Sequence, residues 1–127
     1  MATRKDRLRK LVEVQEHLKA LHETRRAGFL AEAANAEQEA RALADRFDAE
    51  GSLAALFPEL YHNRIAAALK RRDESLDRAR SEAGLVAAAT ARTNMVDRAY
   101  RQARREDERQ RGDRERLDLI EARQRKA

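Results

Sequence analysis

The sequence has no cysteine, no tryptophan, one proline and four glycines in 127 residues. Without cysteine, the chain can form no disulfide framework and carry out no thiol chemistry. None of its apolar runs approaches the roughly 20 residues that a membrane-spanning helix needs. The basic N-terminal residues 1–7 are not followed by the continuous apolar segment of a cleavable signal peptide. We therefore expect a soluble cytoplasmic protein.

Large apolar residues are also scarce, because Leu, Ile, Val and Phe together make up 23 of the 127 residues, whereas charged residues make up 40%. Alanine supplies much of the remaining apolar fraction. Dominance of Ala, Arg, Glu and Leu with helical periodicity is typical of long helices or coiled coils. Disorder is the competing interpretation of the same composition, especially for the C-terminal tail. The length allows one domain.

Gly51 and Pro58 are the strongest pair of helix breakers in the chain. Glycine is preferred just after a helix end, and proline fits the first turn of a helix but not its interior. The pair predicts a helix over about 3–50, a bend over 51–58 and a second helix over about 58–124. Together they form one coiled-coil domain, 1–127. Thr3 and Asp6 suggest a loose capping box at the start of the first helix.

Apolar or small residues recur at spacings of three and four in both helices, which indicates a coiled-coil seam. Arg25 interrupts the first seam and Gly28 weakens it. The first seam contains Leu8, Leu11, Val14, Leu18, Leu21, Phe29, Ala33, Ala36, Ala40, Leu43 and Phe47. The second contains Tyr61, Ile65, Ala68, Arg72, Leu76, Ala79, Ala83, Val86, Thr90, Thr93, Val96 and Tyr100.

Folding the chain about residue 54 pairs residues whose numbers total about 108, so that Phe47 meets Tyr61 and Leu8 meets Tyr100. This match predicts an all-α fold, an antiparallel two-helix coiled-coil hairpin with a longer, overhanging C-terminal helix. A register shifted by one heptad stays open. The tail after residue 105 has no partner in this hairpin, and its apolar residues Leu117, Leu119 and Ile120 form a further contact candidate.

Positive charge gathers in the two terminal segments. Residues 1–10 and 98–127 each carry a net charge of +4, whereas residues 11–97 carry −3. In a hairpin the two basic segments would lie together, away from the bend, and would favour nucleic acid, anionic lipid or an acidic protein. Interspersed acids, five aromatic residues and the absence of a zipper after a basic region argue against direct nucleic-acid binding.

Little in the sequence can carry catalysis. There is no phosphate-binding glycine loop, no Gly-x-Ser-x-Gly and no His-Glu-x-x-His. His22 beside Glu23 or Glu16 is a weak metal candidate, because His17 and His22 do not share a helical face well. A two-helix fold also offers no concave pocket. We expect a protein without enzymatic activity, cofactor, metal or small-molecule substrate.

The chain resembles the FliJ family of flagellar export proteins and the related YscO-type proteins of virulence type III secretion. The resemblance lies in the basic start leading into the run Leu8–Leu18, the central break, the long second helix and the charged ending from Glu108 to Arg123. It covers most of the chain. The segment 27–50 is richer in alanine than that family's pattern, and the chain is somewhat short.

This resemblance implies a hairpin similar to the central stalk of a rotary ATPase, in the cytoplasm and peripherally associated with the inner-membrane export apparatus. The implied partners are the hexameric export ATPase, the export-gate membrane protein and export chaperones. The candidate gate-binding residues at the bend are Phe47, Leu53, Leu56, Phe57, Tyr61 and Ile65. The candidate ATPase-binding residues at the basic end are Arg4, Lys5, Arg7, Arg9, Arg101, Arg104 and Arg105.

Two other functions fit the same sequence. The first is an oligomeric coiled-coil structural adaptor, unrelated to secretion, whose seam pairs between chains. The second is a basic helical protein that binds nucleic acid or another anionic surface. The export hypothesis predicts a monomeric hairpin, so the oligomeric state separates it from the adaptor.

Overall fold

The computed structural model describes residues 2–51 and 53–126, with the backbone alone for Ala54; Ser52, within the predicted bend, lies outside them. Helix α1 spans Arg4–Asp48, a single 3₁₀ turn spans Leu53–Ala55, and helix α2 spans Pro58–Lys126. The described residues contain no strand, and α1 and α2 pack against each other in antiparallel order. The predicted all-α hairpin with a longer second helix is confirmed.

Helix α1 begins with a reciprocal cap. The Asp6 backbone N–H donates to the Thr3 hydroxyl at 3.2 Å, and the Thr3 backbone N–H donates to the Asp6 carboxylate at 3.4 Å. The two bonds satisfy amides that have no partner inside the helix. The side-chain and backbone hydrogen bonds with Thr3 lower the pKa of the Asp6 carboxyl. The predicted capping box is confirmed.

The bend follows from its two breakers. Gly51 has a φ of 73°, a left-handed conformation that residues with a Cβ rarely adopt, and it follows the last turn of α1. The Leu56 and Phe57 amides both donate to the Leu53 carbonyl, which closes the 3₁₀ turn. Pro58 is the first residue of α2, a position whose N–H has no helical partner.

The chain divides into two compact units. The bend unit contains residues 19–87, and in it the contacts between the helices run in antiparallel order. Phe47 packs edge-on against Tyr61 with ring centroids 6.1 Å apart, as predicted. Further along the seam, Glu39 pairs with Arg71 and His22 contacts Glu82. The numbers of these partners total between 104 and 110, close to the predicted 108.

Small side chains form the core of the bend unit. Alanine lets two helix backbones approach closely, but each alanine buries less apolar area than a leucine. Ser75 and Glu82 are the polar members of this core. Its buried residues are Ala33, Ala36, Ala40, Leu43, Ala68, Ser75, Ala79 and Glu82.

The terminal unit contains the residues up to Leu18 and those from Ala88 onward. Lys5 pairs with Asp107 at 3.2 Å, and Arg92 donates to the Gln15 side-chain oxygen at 3.4 Å, again in antiparallel order. Among the described residues of this unit, Ala89 and Ala103 are buried. Helix α2 continues to Lys126, with Leu117, Leu119 and Ile120 exposed.

The predicted seam of the first helix is wrong from Leu11 to Leu21, whereas Leu8 is half-buried as predicted. Leu11, Val14, Leu18 and Leu21 are exposed. Val12, Gln15, Lys19 and His22 are half-buried in their place. The inward row from Phe47 back to Phe29 repeats every seven residues, and α1 continues that repeat to positions 22, 19, 15 and 12. Leu11, Val14, Leu18 and Leu21, which we call the leucine row, each lie one residue before an inward position. The row is therefore rotated by about 100° around the helix axis from the seam.

Helix α2 departs less from its predicted seam. Leu76, Ala83 and Thr90, predicted at the seam, are half-buried beside it. The residues just before them, Ser75, Glu82 and Ala89, are buried instead. In two of these pairs, Ser75 with Leu76 and Ala89 with Thr90, the sequence pattern favoured the larger side chain, whereas close helix packing buries the smaller one. No described helix has a segment long and apolar enough to cross a membrane.

Candidate functional site

Heptad positions sort the outer residues of both helices into two sides. With the inward residues at positions a and d, Val12 and Ile65 occupy a. In an antiparallel pair the c and g positions of both helices lie on one side of the seam, and the b and e positions lie on the other. Each unit bears this out. In the bend unit, Glu39 pairs with Arg71, both at g. In the terminal unit, Arg4 and Glu106, both at g, line one cleft.

In the bend unit, the c/g side is a polar groove with both signs of charge. Its lining includes Glu32, Glu39, Arg71, Glu74 and Arg78. Glu39 and Arg71 form an ion pair across the groove, and the Arg78 guanidinium lies 6.0 Å from the centre of the Phe29 ring. Glu74 pairs with Lys70 one turn before it on α2, so part of the charge in this groove is matched within the unit.

In the terminal unit, the c/g side carries apolar side chains that the hairpin does not cover. Leu11, Val14 and Leu18 are 41%, 52% and 38% exposed, and Met95 of α2 is 69% exposed. Ala88, which like Met95 occupies position c of α2, is also exposed. Such a wide apolar stripe exceeds what a two-helix seam requires.

Cations border these apolar residues at positions c, f and g of the terminal unit. No carboxylate lies within ion-pair distance of any of them in the described part of the chain. Arg92 donates instead to the neutral side chain of Gln15. Glu106 is the one acidic residue at these positions between 88 and 106. The cations are Arg4, Arg7, Lys10, Arg92, Arg98 and Arg105. We call this set, with Leu11, Val14, Leu18, Ala88 and Met95, the cationic face.

The candidate ATPase-binding residues all belong to the terminal unit, but their environments differ. Lys5 pairs with Asp107, Arg101 with Asp97 at 3.0 Å and Arg104 with Glu108 at 3.2 Å. The remaining candidates, Arg4, Arg7, Arg9 and Arg105, are exposed and make no ion pair with a described residue. The predicted set is therefore partly neutralised by its own neighbours.

The candidate gate-binding residues also divide into two groups. Phe47 contacts the rings of Tyr61 and His62, and Tyr61 and Ile65 are half-buried, so these three belong to the packing of the bend unit. Leu53, Leu56 and Phe57 are 63%, 70% and 56% exposed. Leu60, which the sequence reasoning left out of the set, is exposed beside them. Asp48, Glu50 and Glu59 flank these exposed residues with negative charge.

The His22 side chain approaches an acid that the sequence reasoning did not consider. Its Nδ1 lies 2.8 Å from Glu82 Oε2, and both side chains are largely buried. Glu16 and Glu23, the acids considered for His22, lie on α1 itself, whereas Glu82 lies across the seam on α2. Among the described residues, no three His, Asp or Glu side chains gather as a metal site. The pair is therefore a polar contact within the coiled-coil core.

The sequence reasoning did not single out five members of the cationic face, Lys10, Ala88, Arg92, Met95 and Arg98. A signal was present, because residues 88–96 carry a single charge in a chain that is 40% charged. A helix segment that is uncharged around most of its circumference is normally covered on more than one side.

No protein-family model, curated protein or solved structure matches this chain at a significant level.

Proposed function

We propose that the chain is a non-enzymatic component of a bacterial flagellar or type III protein-export apparatus. In this proposal it acts as the central-stalk protein of the export ATPase and escorts export chaperones. The observation that carries the proposal is an antiparallel hairpin whose bend leaves Leu53, Leu56 and Phe57 exposed. The resemblance to the FliJ family supplies the identity of the partners.

The bend provides a contact surface for the export-gate membrane protein. Large apolar side chains left in water at a turn are a recurring feature of protein-binding sites. The acids around this bend favour a partner surface with apolar pockets and a basic rim. Leu56 and Phe57 are the residues from which we expect most of the binding energy.

The terminal unit provides the contact for the hexameric ATPase. Lys5 and Asp107 hold the N-terminal segment of α1 beside α2, so basic residues of both helices lie in one unit. Arg4, Arg7, Arg9 and Arg105 are free to pair with carboxylates of the ring.

The experiment measures binding of the purified chain to the purified hexameric export ATPase and to the cytoplasmic domain of the export gate. Replacing Leu56 and Phe57 by Ser should reduce gate binding about tenfold or more and leave ATPase binding intact. The matched control replaces Leu117 and Leu119, which are equally exposed in the tail. The proposal would be refuted if the unsubstituted chain bound neither the ATPase nor the gate domain.

The tail favours a second candidate, the oligomeric coiled-coil adaptor. Leu117, Leu119 and Ile120 are exposed on a regular helix, and a second chain can cover them. Light scattering at micromolar concentration separates the candidates. A monomer supports the export protein, and a dimer that Leu117→Ser with Ile120→Ser dissociates supports the adaptor.

A further inference from the structure

We infer that the cationic face of the terminal unit is a docking surface for an anionic lipid bilayer. The inference goes beyond the proposed function and does not depend on it. Its basis is the coincidence, on the c/g side of one unit and the adjoining outward f positions, of uncovered apolar side chains and unpaired cations. The hairpin itself uses neither group on that side.

Apolar residues of both helices lie on the c/g side of the terminal unit. Leu11, Val14 and Leu18 occupy positions g, c and g of α1, and Ala88 and Met95 occupy position c of α2. These positions share one side of an antiparallel pair, as the cleft between Arg4 and Glu106 shows within this unit. Two helices therefore present their apolar rows side by side, and such a surface suits a broad apolar layer.

Cations outnumber acids on the cationic face. It carries six cations, and Glu106 is the one acidic residue at the c, f and g positions between 88 and 106. The b/e side of the unit differs, because Arg101 and Arg104 there are paired with Asp97 and Glu108. Unpaired Lys and Arg beside an apolar row are the pattern of interfacial helices, which insert apolar side chains and place cations among anionic headgroups.

An anionic bilayer fits the cationic face better than nucleic acid or an acidic helix does. Nucleic acid would neutralise the cations but would leave Leu11, Leu18 and Met95 in water. The face also has no aromatic side chain on which bases could stack. A single acidic helix would need about six carboxylates placed along three turns to match the same charge. A bilayer that contains anionic lipid satisfies both the apolar rows and the cations.

The test measures binding of the full chain to vesicles of phosphatidylcholine, with and without about one-third phosphatidylglycerol, by co-sedimentation. We expect binding to the anionic vesicles only, weakening as salt is added. Leu18→Ser should weaken it several-fold. Leu30→Ser is the matched control, because Leu30 lies on the same helix with nearly the same exposure, 39% against 38%. Leu30 occupies position e and should have no effect.

A second pair of variants tests the charges. Arg7→Gln with Arg98→Gln removes two cations from the face and should reduce anionic-vesicle binding about tenfold. Arg9→Gln with Arg101→Gln removes the same charge from the b/e side and should change binding about twofold at most. Equal losses in both variants would mean that the whole basic unit attracts vesicles without a specific face, and would overturn the inference.

Insertion itself can be observed directly, because the chain has no tryptophan. Met95→Trp places a reporter on the face, and its emission should shift to the blue with anionic vesicles. Asn94→Trp, an exposed neighbour on the other side, should keep the emission of a tryptophan in water.

Several outcomes contradict the inference. They are no vesicle binding, a blue shift at position 94 equal to that at 95, or a dimer in which Leu18 is buried without lipid. Tighter binding to double-stranded DNA with loss in the same variants would assign the face to nucleic acid instead. Circular dichroism of each variant checks that the helices persist. Because no export protein is present, failure here leaves the proposed function intact, and success does not establish it.

Discussion

The same two helices are stabilised differently in the bend unit and in the terminal unit. In the bend unit, small side chains close the seam, and Glu39 pairs with Arg71 on its c/g side. In the terminal unit, Ala89 and Ala103 are the buried side chains among the described residues, and the corresponding outer positions carry unpaired cations. Leucines are exposed at these outer positions in both units, Leu11 and Leu18 in the terminal unit and Leu21 and Leu85 in the bend unit. The bend unit thus combines a seam of small side chains with apolar residues exposed at the bend, whereas the terminal unit presents unpaired cations beside its exposed apolar residues.

The largest expected effect comes from enlarging a buried alanine of the bend unit. Ala68 is completely buried, so Ala68→Leu should lower the free energy of unfolding by up to about 3 kcal/mol through overpacking. Ala67 is exposed one residue earlier, and Ala67→Leu should be nearly neutral because both residues favour helix. Thermal unfolding followed by circular dichroism measures both. Equal stability of the two variants would show that the seam at Ala68 has room for a larger side chain.

The next largest effect is the difference in stability loss between Phe47, which is packed at the bend, and Leu56 and Phe57, which are exposed there. Phe47→Ala removes the ring contacts with Tyr61 and His62 and should cost about 2 kcal/mol. Leu56→Ser with Phe57→Ser should cost less than about 0.5 kcal/mol, because both side chains are more than half exposed. A large loss of thermal stability in the double variant would place Leu56 and Phe57 in the core.

A smaller effect concerns the polar contact within the seam. Glu82→Ala should destabilise the protein by about 1 kcal/mol, because His22 loses its hydrogen-bond partner across the helices. A double-mutant cycle with His22→Ala should give a coupling energy of about 0.5 to 1.5 kcal/mol. Strictly additive losses would mean that the two side chains are neighbours without an energetic interaction.

The smallest effect lies at the start of α1, in the terminal unit. Thr3→Ala removes the hydrogen bond that contributes most to the low pKa of Asp6, so this pKa should rise toward its ordinary value. Because the folded-state pKa is lowered, the stabilisation that it reflects is present above the ordinary pKa and is lost as the pH falls through the folded-state value. Titration of Asp6 by NMR in both proteins measures the difference. An unchanged pKa in the variant would contradict this cause.

Strong local signals made most of the fold predictable. Gly51 and Pro58 marked the bend, Thr3 and Asp6 marked the first cap, and Phe47 and Tyr61 set the register. The direction of the leucine row was not predictable in the same way. Leu11 and Leu18 form a good seam on their own, and only the continuous repeat from Phe29 to Phe47 turns them outward.

The candidate site was predictable in outline, because net charge assigned basic residues to both terminal segments. Which of them are free depended on side-chain geometry. Arg101 and Arg104 pair with carboxylates one turn away, while Arg98 and Arg105 have no such pair in the described structure. Charge counting treats these four residues alike.

Because the leucine row is offset from the seam by one residue, the number of residues in α1 determines whether this row faces outward or inward. Leu21 and Phe29 are eight residues apart, where a continuous heptad pattern would need seven. Deleting Gly28, which has no side-chain neighbour, would shift Leu11, Val14, Leu18 and Leu21 into the inward positions. The shortened protein would exchange Gln15 and Lys19 for leucine-rich packing and should melt at a higher temperature. A loss of one codon would thus convert an outward-facing surface into a stronger core.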